Sequence, residues 1–353
     1  MAFFTDLCYT DSSSLRTKMR RKTSIYNSIG KNSMKEFLIT QNDAGMRLDK
    51  FVKKVAPNLP QSMLYKAIRT KNIKINGKRA EISTRLQIGD SVKIFVADEF
   101  FEKSETVYDF LRAGKALDIL YEDENIILLN KNAGLLCHPD DREFIDTLIG
   151  RVKRYLYEKG DYDPAQENSF VPALVNRIDR NTGGIVIASK NAESLRILNQ
   201  KMKDRELHKF YLCVLHGTPK PQTGILEGYL IKDEKKNMVR VLQNPTAGAK
   251  TIRTKYRVLE SDGKLSLVEV DLLTGRTHQI RAHFASVGHP LLGDGKYGRN
   301  AQNKAYGYKK QFLYSYKLQF DFTTDAGLLN YLNGKCFQVE DVWFARAFRD
   351  GEL

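Results

Sequence analysis

Hydrophobic and polar positions change rhythm several times along this chain, and each change predicts an element. From Arg47 onward, Leu48, Phe51, Val52 and Val55 recur at i, i+3, i+4 and i+7, one face of a short helix. Pro57 and Pro60 end it, and Gln61-Ser62 start a second helix. This second helix turns Leu64, Ala67 and Ile68 inward and Lys66, Arg69 and Lys71 outward. Ile73 and Ile75 then alternate as a strand, Asn76-Gly77 is a hairpin turn ahead of Lys78, and Ser91 to Val96 is another alternating strand. Two short helices and a few short strands make a compact module.

Further on the pattern is of short strands between Gly and Pro turns, without a βαβ rhythm. Ile126-Ile127-Leu128-Leu129 has no polar break and reads as a buried strand. Tyr157 to Asn168 reads as an exposed polar loop, and Gly184 to Ser189 as a strand. Ala192 to Met202 is an amphipathic helix, and Lys209 to Gly217 is a strand with Lys209, Tyr211 and Cys213 on one face. Thr274-Gly275 signals a turn that starts a helix at Arg276, which puts Thr277 and Arg281 on a shared face. Gln311 to Phe322 is a last strand that completes a sheet, with Trp343-Phe344 packed on it.

Composition narrows the class. A chain of 353 residues suits two domains, and 42% hydrophobic with 28% charged residues is an ordinary soluble profile. No apolar run approaches the roughly 20 residues of a bilayer span, and the expectation is no membrane association. Cys8, Cys137, Cys213 and Cys336 are scattered, without Cys-x-x-Cys pairs or metal-ligand spacing. That argues against a metal site or a disulfide framework and fits the cytoplasm. No motif calls for a cofactor.

The net charge of +15 is unevenly placed. Residues 1–33 carry six Lys/Arg against two Asp, and residues 34–97 carry thirteen against five acids, which leaves only +3 for the other 256 residues. A basic N-terminal end suits a polyanion such as RNA. Residues 1–33 show no periodicity and are read as a disordered or extension segment, with Met34 a natural start. Residues 34–97 form the basic module, 98–116 a linker with the boundary near Phe100, and 117–353 the second domain.

Candidate chemistry centres on Val175 to Ile185, which sets Asp179 between Arg177 and Arg180 in a polar turn before an apolar run. Nearby cations favour the charged form of a carboxylate, so Asp179 is a candidate nucleophile or base. Alone, an Arg-x-Asp-Arg sequence reads as a surface salt bridge. Leu272 to His283 adds two arginines, two histidines, one glutamine and no acid, an anion-binding surface followed by the glycine-rich stretch Gly288 to Gly298. His138, before Pro139, is a loop residue with no neighbour set to orient it. Tyr211, taken alone between two apolar neighbours, reads as core packing rather than catalysis.

Taken together these segments resemble known units. Arg47-Leu48-Asp49-Lys50-Phe51, Ile73 to Lys78 and Ile88-Gly89-Asp90 resemble the alpha-L RNA-binding module. Asn176 to Gly184, Lys209-x-Tyr211 and Thr274 to Arg281 occur in the order and spacing of the RluA-type pseudouridine synthases. Lys131-x-x-Gly134-Leu135, His138-Pro139 and Gly293-Asp294-x-x-Tyr297-Gly298 are similar to that family too. The chain departs from it at Asn176, where His is usual, at Gly183, where Ser or Thr is usual, and at Asn132, where Pro is usual.

The resemblance implies an α+β fold: a mixed, largely antiparallel sheet with flanking helices and a central cleft, preceded by the small module. It implies isomerisation of uridine to pseudouridine in RNA, without cofactor or metal. Asp179 would be the essential carboxylate, acting covalently or by removing a sugar proton. Arg281 would be its ion-pair partner, and Tyr211 would stack on the base. Arg177, Arg180, Arg276 and His278 would contact RNA, as would Lys66, Arg69, Lys71 and Lys78 on the basic module. Ribosomal large-subunit RNA is the expected substrate, transfer RNA the other choice, and a monomer the expected state. Two readings compete with this one: a non-catalytic ribosome-assembly factor on the same scaffold, and an N-glycosidase releasing free base.

Overall fold

The computed structural model describes residues 33–102, 105–233, 238–298, 303, 306–308 and 310–353. Residues 1–32, and with them nearly all of the predicted extension segment, lie outside the described residues. The chain divides into two compact units between Glu105 and Thr106.

In the first unit β1 (Ser33–Leu38), β4 (Ser91–Val96), β2 (Ile73–Ile75) and β3 (Lys78–Arg79) form an antiparallel sheet in that spatial order. Helices α1 (Leu48–Val55) and α2 (Gln61–Arg69) lie where their apolar spacing predicts, but α2 stops at Arg69, and Lys71, expected on its outward face, follows it at φ 65°. Leu48, Phe51 and Val52 from α1 and Leu64 and Ile68 from α2 join Ile73, Val92 and Ile94 in one core. The β2–β3 turn places Asn76 and Gly77 at φ 51° and 73°, the left-handed pair that a tight two-residue hairpin requires. The Asn76 amide then bonds Asp90 at 2.8 Å and accepts the Ser91 N–H at 2.8 Å, which locks the turn against β4.

Of the stretch read as a linker, residues 98–102 and 105 fall in the first unit and residues 106–116 in the second. Two 3-10 segments occupy Asp98–Phe101 and Glu105–Arg112. Phe101 is buried in the core of the first unit and Phe110 in that of the second. The aromatic side chains decide this, since each has apolar area to remove from water.

The second unit is built on a mixed sheet whose main path is β11 (Met238–Leu242), β10 (Thr223–Asp233), β12 (Lys250–Ser261), β13 (Leu265–Asp271), β9 (Leu207–His216), β14 (Leu313–Phe320), β8 (Gly183–Ser189), β6 (Ile126–Lys131) and β5 (Ile119–Glu122). Two short strands flank it: β7 (Ala173–Leu174) pairs β8 and β15 (Cys336–Gln338) pairs β14. Every pairing is antiparallel except β14 with β8, so the α+β expectation of a mixed, largely antiparallel sheet is borne out. Strand β8 is buried on both faces: Val186 and Ala188 enter one core, and Ile185 and Ile187 the other.

The parallel seam is short, pairing only Tyr314 with Gly183 and Ser315 with Gly184. Its close approach depends on glycine. Gly184 has φ +114°, and a Cβ there would lie 2.1 Å from the Ser315 carbonyl oxygen. Gly183 faces the Tyr314 ring, which would lie 2.5 Å from an added Cβ. Tyr314 therefore occupies the room that any side chain at position 183 would need. Ser315 also pairs with Tyr211 across β9, so Gly184, Ser315 and Tyr211 lie in one row over three strands. This row brings the Asp179 turn beside Tyr211.

Three local expectations change. Helix α3 (Leu148–Lys159) runs into the stretch read as a loop, capped by the Thr147 side chain and ended by Gly160 at φ 87°. Tyr162 and Phe170, further along that stretch and just beyond it, are buried. Helix α4 (Ala192–Lys203) extends one residue past its predicted end. The last strand, β14, is shorter than the expected Gln311–Phe322 and lies between β9 and β8, with Leu313, Leu318 and Phe320 buried. The short terminal helix α6 (Trp343–Arg349) packs Trp343 and Phe344 on Phe312. No helix among the described residues is long and apolar enough to cross a membrane.

Candidate active site

The turn that carries Asp179 is held by backbone and by a buried lysine. The Thr182 N–H bonds the Asp179 carbonyl at 3.0 Å, and the Gly134 N–H bonds the Arg180 carbonyl at 2.7 Å. Lys131 is almost fully buried and donates to the carbonyls of Asn132 (3.0 Å), Leu135 (2.8 Å) and Arg180 (3.0 Å). All three ammonium protons are thereby used, and the loop after β6 is pinned to the Asp179 turn. Burial pushes the Lys131 pKa down to about 8, against the opposing influence of Cys137 and Asp179. Asn176 bridges into β8 by accepting the Ile187 N–H at 2.8 Å and donating to the Ile185 carbonyl at 3.4 Å. These two bonds tie the turn to the strand.

The segment before Arg281 is shaped by Gln279. Its amide nitrogen donates to the Arg253 carbonyl and to Thr254 Oγ1, both at 3.0 Å. Its oxygen accepts from Thr274 Oγ1 at 2.9 Å and from the Arg276 N–H at 3.1 Å. These four bonds hold residues 274–276 in a loop against β12. His278 follows at φ 52°, a left-handed conformation that interrupts any helix. Helix α5 (Gln279–Ser286) therefore starts three residues later than the expected Arg276, and Thr277 shares no helical face with Arg281.

Arg281 joins two carboxylates. Nε and Nη2 reach Asp294 at 2.7 and 2.9 Å, and Nη1 reaches Asp179 Oδ2 at 2.8 Å. Burial alone would weaken the charge on Arg281, but the bonds and charge of Asp294, then of Asp179, drive its pKa upward. For Asp294, burial raises the pKa and Arg281 more than reverses this, so it stays below the ordinary carboxylate range. Side-chain exposure falls from 24% at Asp179 to 8% at Arg281 and 0% at Asp294. Asp179 is thus the open end of the chain of charges.

That end faces a cleft of about 680 Å³, a usual size for a small-ligand site. Asp179, Tyr211, Arg281, Arg177, Arg276 and His278 all line it. Tyr211 is buried, and desolvation raises its pKa to about 12, so the phenol keeps its proton at neutral pH. His278 Nε2 lies 3.8 Å from Asp179 Oδ2. Desolvation, with the charges of Arg281 and Lys296, lowers the His278 pKa to about 4 despite Asp179 and Asp294. It is a neutral imidazole at pH 7. Arg177 and Arg276 are exposed at the cleft. Arg180 is exposed and turned aside, its Nε on the Gly134 carbonyl at 3.0 Å. His138 is an exposed loop residue, and Lys66, Arg69, Lys71 and Lys78 lie exposed on the first unit.

Three contributors were not foreseen in these roles: Asp294, Gln279 and Lys131. The Gly293-Asp294-x-x-Tyr297 spacing was a signal, since a lone acid in a glycine-rich loop needs a cation if it is buried. Among the described residues no group of three or more His, Cys, Asp or Glu could hold a metal.

A charged cleft and a separate basic module fit an enzyme that acts on nucleic acid, and comparison with known proteins specifies the family. Residues 125–286 match the family model for RNA pseudouridylate synthases, and residues 46–92 match the S4 domain. An uncharacterized RNA pseudouridine synthase of Mycoplasma genitalium is 31% identical over 81% of this chain and 88% of its own length. Ribosomal large subunit pseudouridine synthase C of Escherichia coli is 30% identical over 82% of this chain and 89% of its own. The Vibrio cholerae protein of the same name is 29% identical over 80% and 87%. Human RNA pseudouridylate synthase domain containing 4 has a similar fold, with a TM-score of 0.50 at 19% identity over 64% of this chain and 89% of that one. The chain belongs to the RNA pseudouridine synthase family and carries an N-terminal S4 domain. The expected family, fold and enzyme class are all borne out.

Proposed function

We propose that this enzyme isomerises specific uridines of large-subunit ribosomal RNA to pseudouridine in the cytoplasm, acting as a monomer with Asp179 as its essential carboxylate. The reaction breaks the bond from the sugar to nitrogen 1, turns the base and rejoins it through carbon 5. The observation that carries the reading is the graded chain Asp294–Arg281–Asp179, which presents one open carboxylate beside a buried tyrosine. Asp179 is free to attack covalently or to take a sugar proton, and its Oδ1 is not committed to Arg281. Tyr211 is the flat apolar wall against which an extruded uracil stacks. Extrusion costs a few kcal/mol, which contacts of RNA phosphates with Arg177, Arg180, Arg276 and the S4 face offset. The relatives' names support the ribosomal substrate.

The test is to map pseudouridines in cellular RNA with and without the gene, then to restore either the wild type or Asp179→Asn. Sites in large-subunit RNA should vanish and return only with the wild type, while the variant still binds RNA. Sites restored by the variant would sink the role of Asp179. Losses confined to transfer RNA would sink the ribosomal assignment, and free uracil as product would show a glycosidase.

A further inference from the structure

Tyr297 sits behind His278, on the side away from Asp179. Its Oη accepts the Val239 N–H of β11 at 2.9 Å and lies 2.8 Å from His278 Nδ1. The two rings meet edge to face at 5.6 Å, and the Arg281 guanidinium lies 5.2 Å from the Tyr297 ring centre. The Tyr297 N–H is itself bonded to Asp294 Oδ1 at 3.1 Å, which fixes the tyrosine to the acid that holds Arg281.

We propose that Tyr297 and His278 are positioning residues, in which the Tyr297 hydroxyl proton, directed onto His278 Nδ1, fixes the imidazole as the Nε2–H tautomer and aims that N–H at Asp179. This inference rests on the reading of Asp179 as the reactive carboxylate. The direction of each bond follows from what its neighbours offer. The Val239 N–H can only donate, so it takes one acceptor site of Tyr297 Oη. With Nδ1 as acceptor, the hydroxyl proton has a partner, and Nε2–H faces carboxylate oxygen Oδ2. The other tautomer would set the Nε2 lone pair against that oxygen and leave the hydroxyl proton without this acceptor.

The charged groups facing His278 are Asp179, Asp294, Arg281 and Lys296. Two acids and two cations nearly balance, and burial then keeps the ring neutral, so the ring can serve as a fixed donor throughout the working pH range. At 3.8 Å the N–H is not yet a full hydrogen bond to Asp179. A small shift of the carboxylate toward substrate closes it. Arg281 fixes one direction of approach to Oδ2 and His278 a second, so Asp179 is aimed by two donors, one charged and one neutral. The strand β11 becomes part of the site through a single backbone N–H.

The experiment uses the full chain labelled with 15N-histidine, with His278→Gln identifying the signal. The wild type should show His278 protonated at Nε2 and bare at Nδ1 from pH 5.5 to 8. In Tyr297→Phe the signal should move toward the Nδ1–H tautomer. Single-turnover formation of pseudouridine should fall about ten- to a hundredfold, the worth of one hydrogen bond to a charged group, with RNA affinity unchanged. His278→Gln carries an amide N–H that needs no tautomer. Adding Tyr297→Phe to it should therefore cost no more than about twofold. An Nδ1–H signal in the wild type, or fully additive losses in the double variant, would overturn the inference. If no RNA yields product, the role of Asp179 has failed instead, and the spectra still decide the tautomer.

Discussion

Asp294 holds Arg281 through two hydrogen bonds, from Nε at 2.7 Å and Nη2 at 2.9 Å, while Asp179 receives only one, from Nη1 at 2.8 Å. The pair inside the protein is the tighter and the drier. Arg281 is therefore oriented by Asp294 whatever position Asp179 takes. Fixed charges of this kind need no reorganisation during reaction.

Asp294→Asn should consequently be worse for stability than Asp179→Asn. The first leaves a buried guanidinium short of a counter-charge, a loss of about 3–5 kcal/mol. The second removes a charge at the open end while the Arg281–Asp294 pair persists, and should cost less than about 1 kcal/mol. Urea unfolding of the two variants checks the order, and equal losses would contradict it.

Gly183→Ser should destabilise the fold, because its Cβ would meet the Tyr314 ring at 2.5 Å. Overpacking of this size costs about 1–3 kcal/mol. Adding Tyr314→Ala removes the ring and should recover part of that cost relative to Tyr314→Ala alone. Gly184→Ala has no such rescue, since its obstacle is the Ser315 backbone and its φ is +114°. Melting temperatures of the four variants separate these cases.

Acid should unfold the catalytic unit through two histidines. Burial lowers His278 and His283 to about 4, below the ordinary value of 6.5. Between pH 4 and 6.5 the unfolded chain then binds more protons than the folded one, so stability rises with pH across that window and is lost as pH falls. Each ring contributes up to about 3 kcal/mol. His283→Asn should flatten the profile without shifting the site, and a denaturation series from pH 4 to 7 measures it.

Neutralising Lys66, Arg69, Lys71 and Lys78 to Gln should weaken RNA binding more than it slows conversion of bound RNA. Each lost phosphate contact lowers the salt slope of log affinity by about 0.7–0.9. Binding titrations at several salt concentrations test this, and an unchanged slope would remove these side chains from the interface.

The elements most readily seen in the chain were those that local physics governs. Apolar spacing marked α1 and α2 almost to the residue, Asn76-Gly77 marked its hairpin, and the unbroken run Ile126 to Leu129 marked a buried strand. Helix α3 was overlooked because polar residues follow it and hide its Leu148, Val152 and Leu156 face. The late start of α5 was invisible because Gln279 bonds to Arg253 and Thr254, which lie 26 and 25 positions away. No local propensity reports a bond of that range.

The same division applies to the site. The chain by itself determined which side chains were available: an acid set among arginines, a tyrosine on a strand and a basic segment without acids. It also determined the two-unit layout through its uneven charge and changing periodicity. Only the tertiary structure decided that Arg281 serves two carboxylates, that Asp294 lies at the dry end, that Arg180 turns to a carbonyl and that Tyr297 backs His278. The reason is that partner choice depends on burial and on distances between residues as much as 102 positions apart, as for Arg281 and Asp179. A charged group in a core must satisfy whichever neighbours the sheet register brings to it.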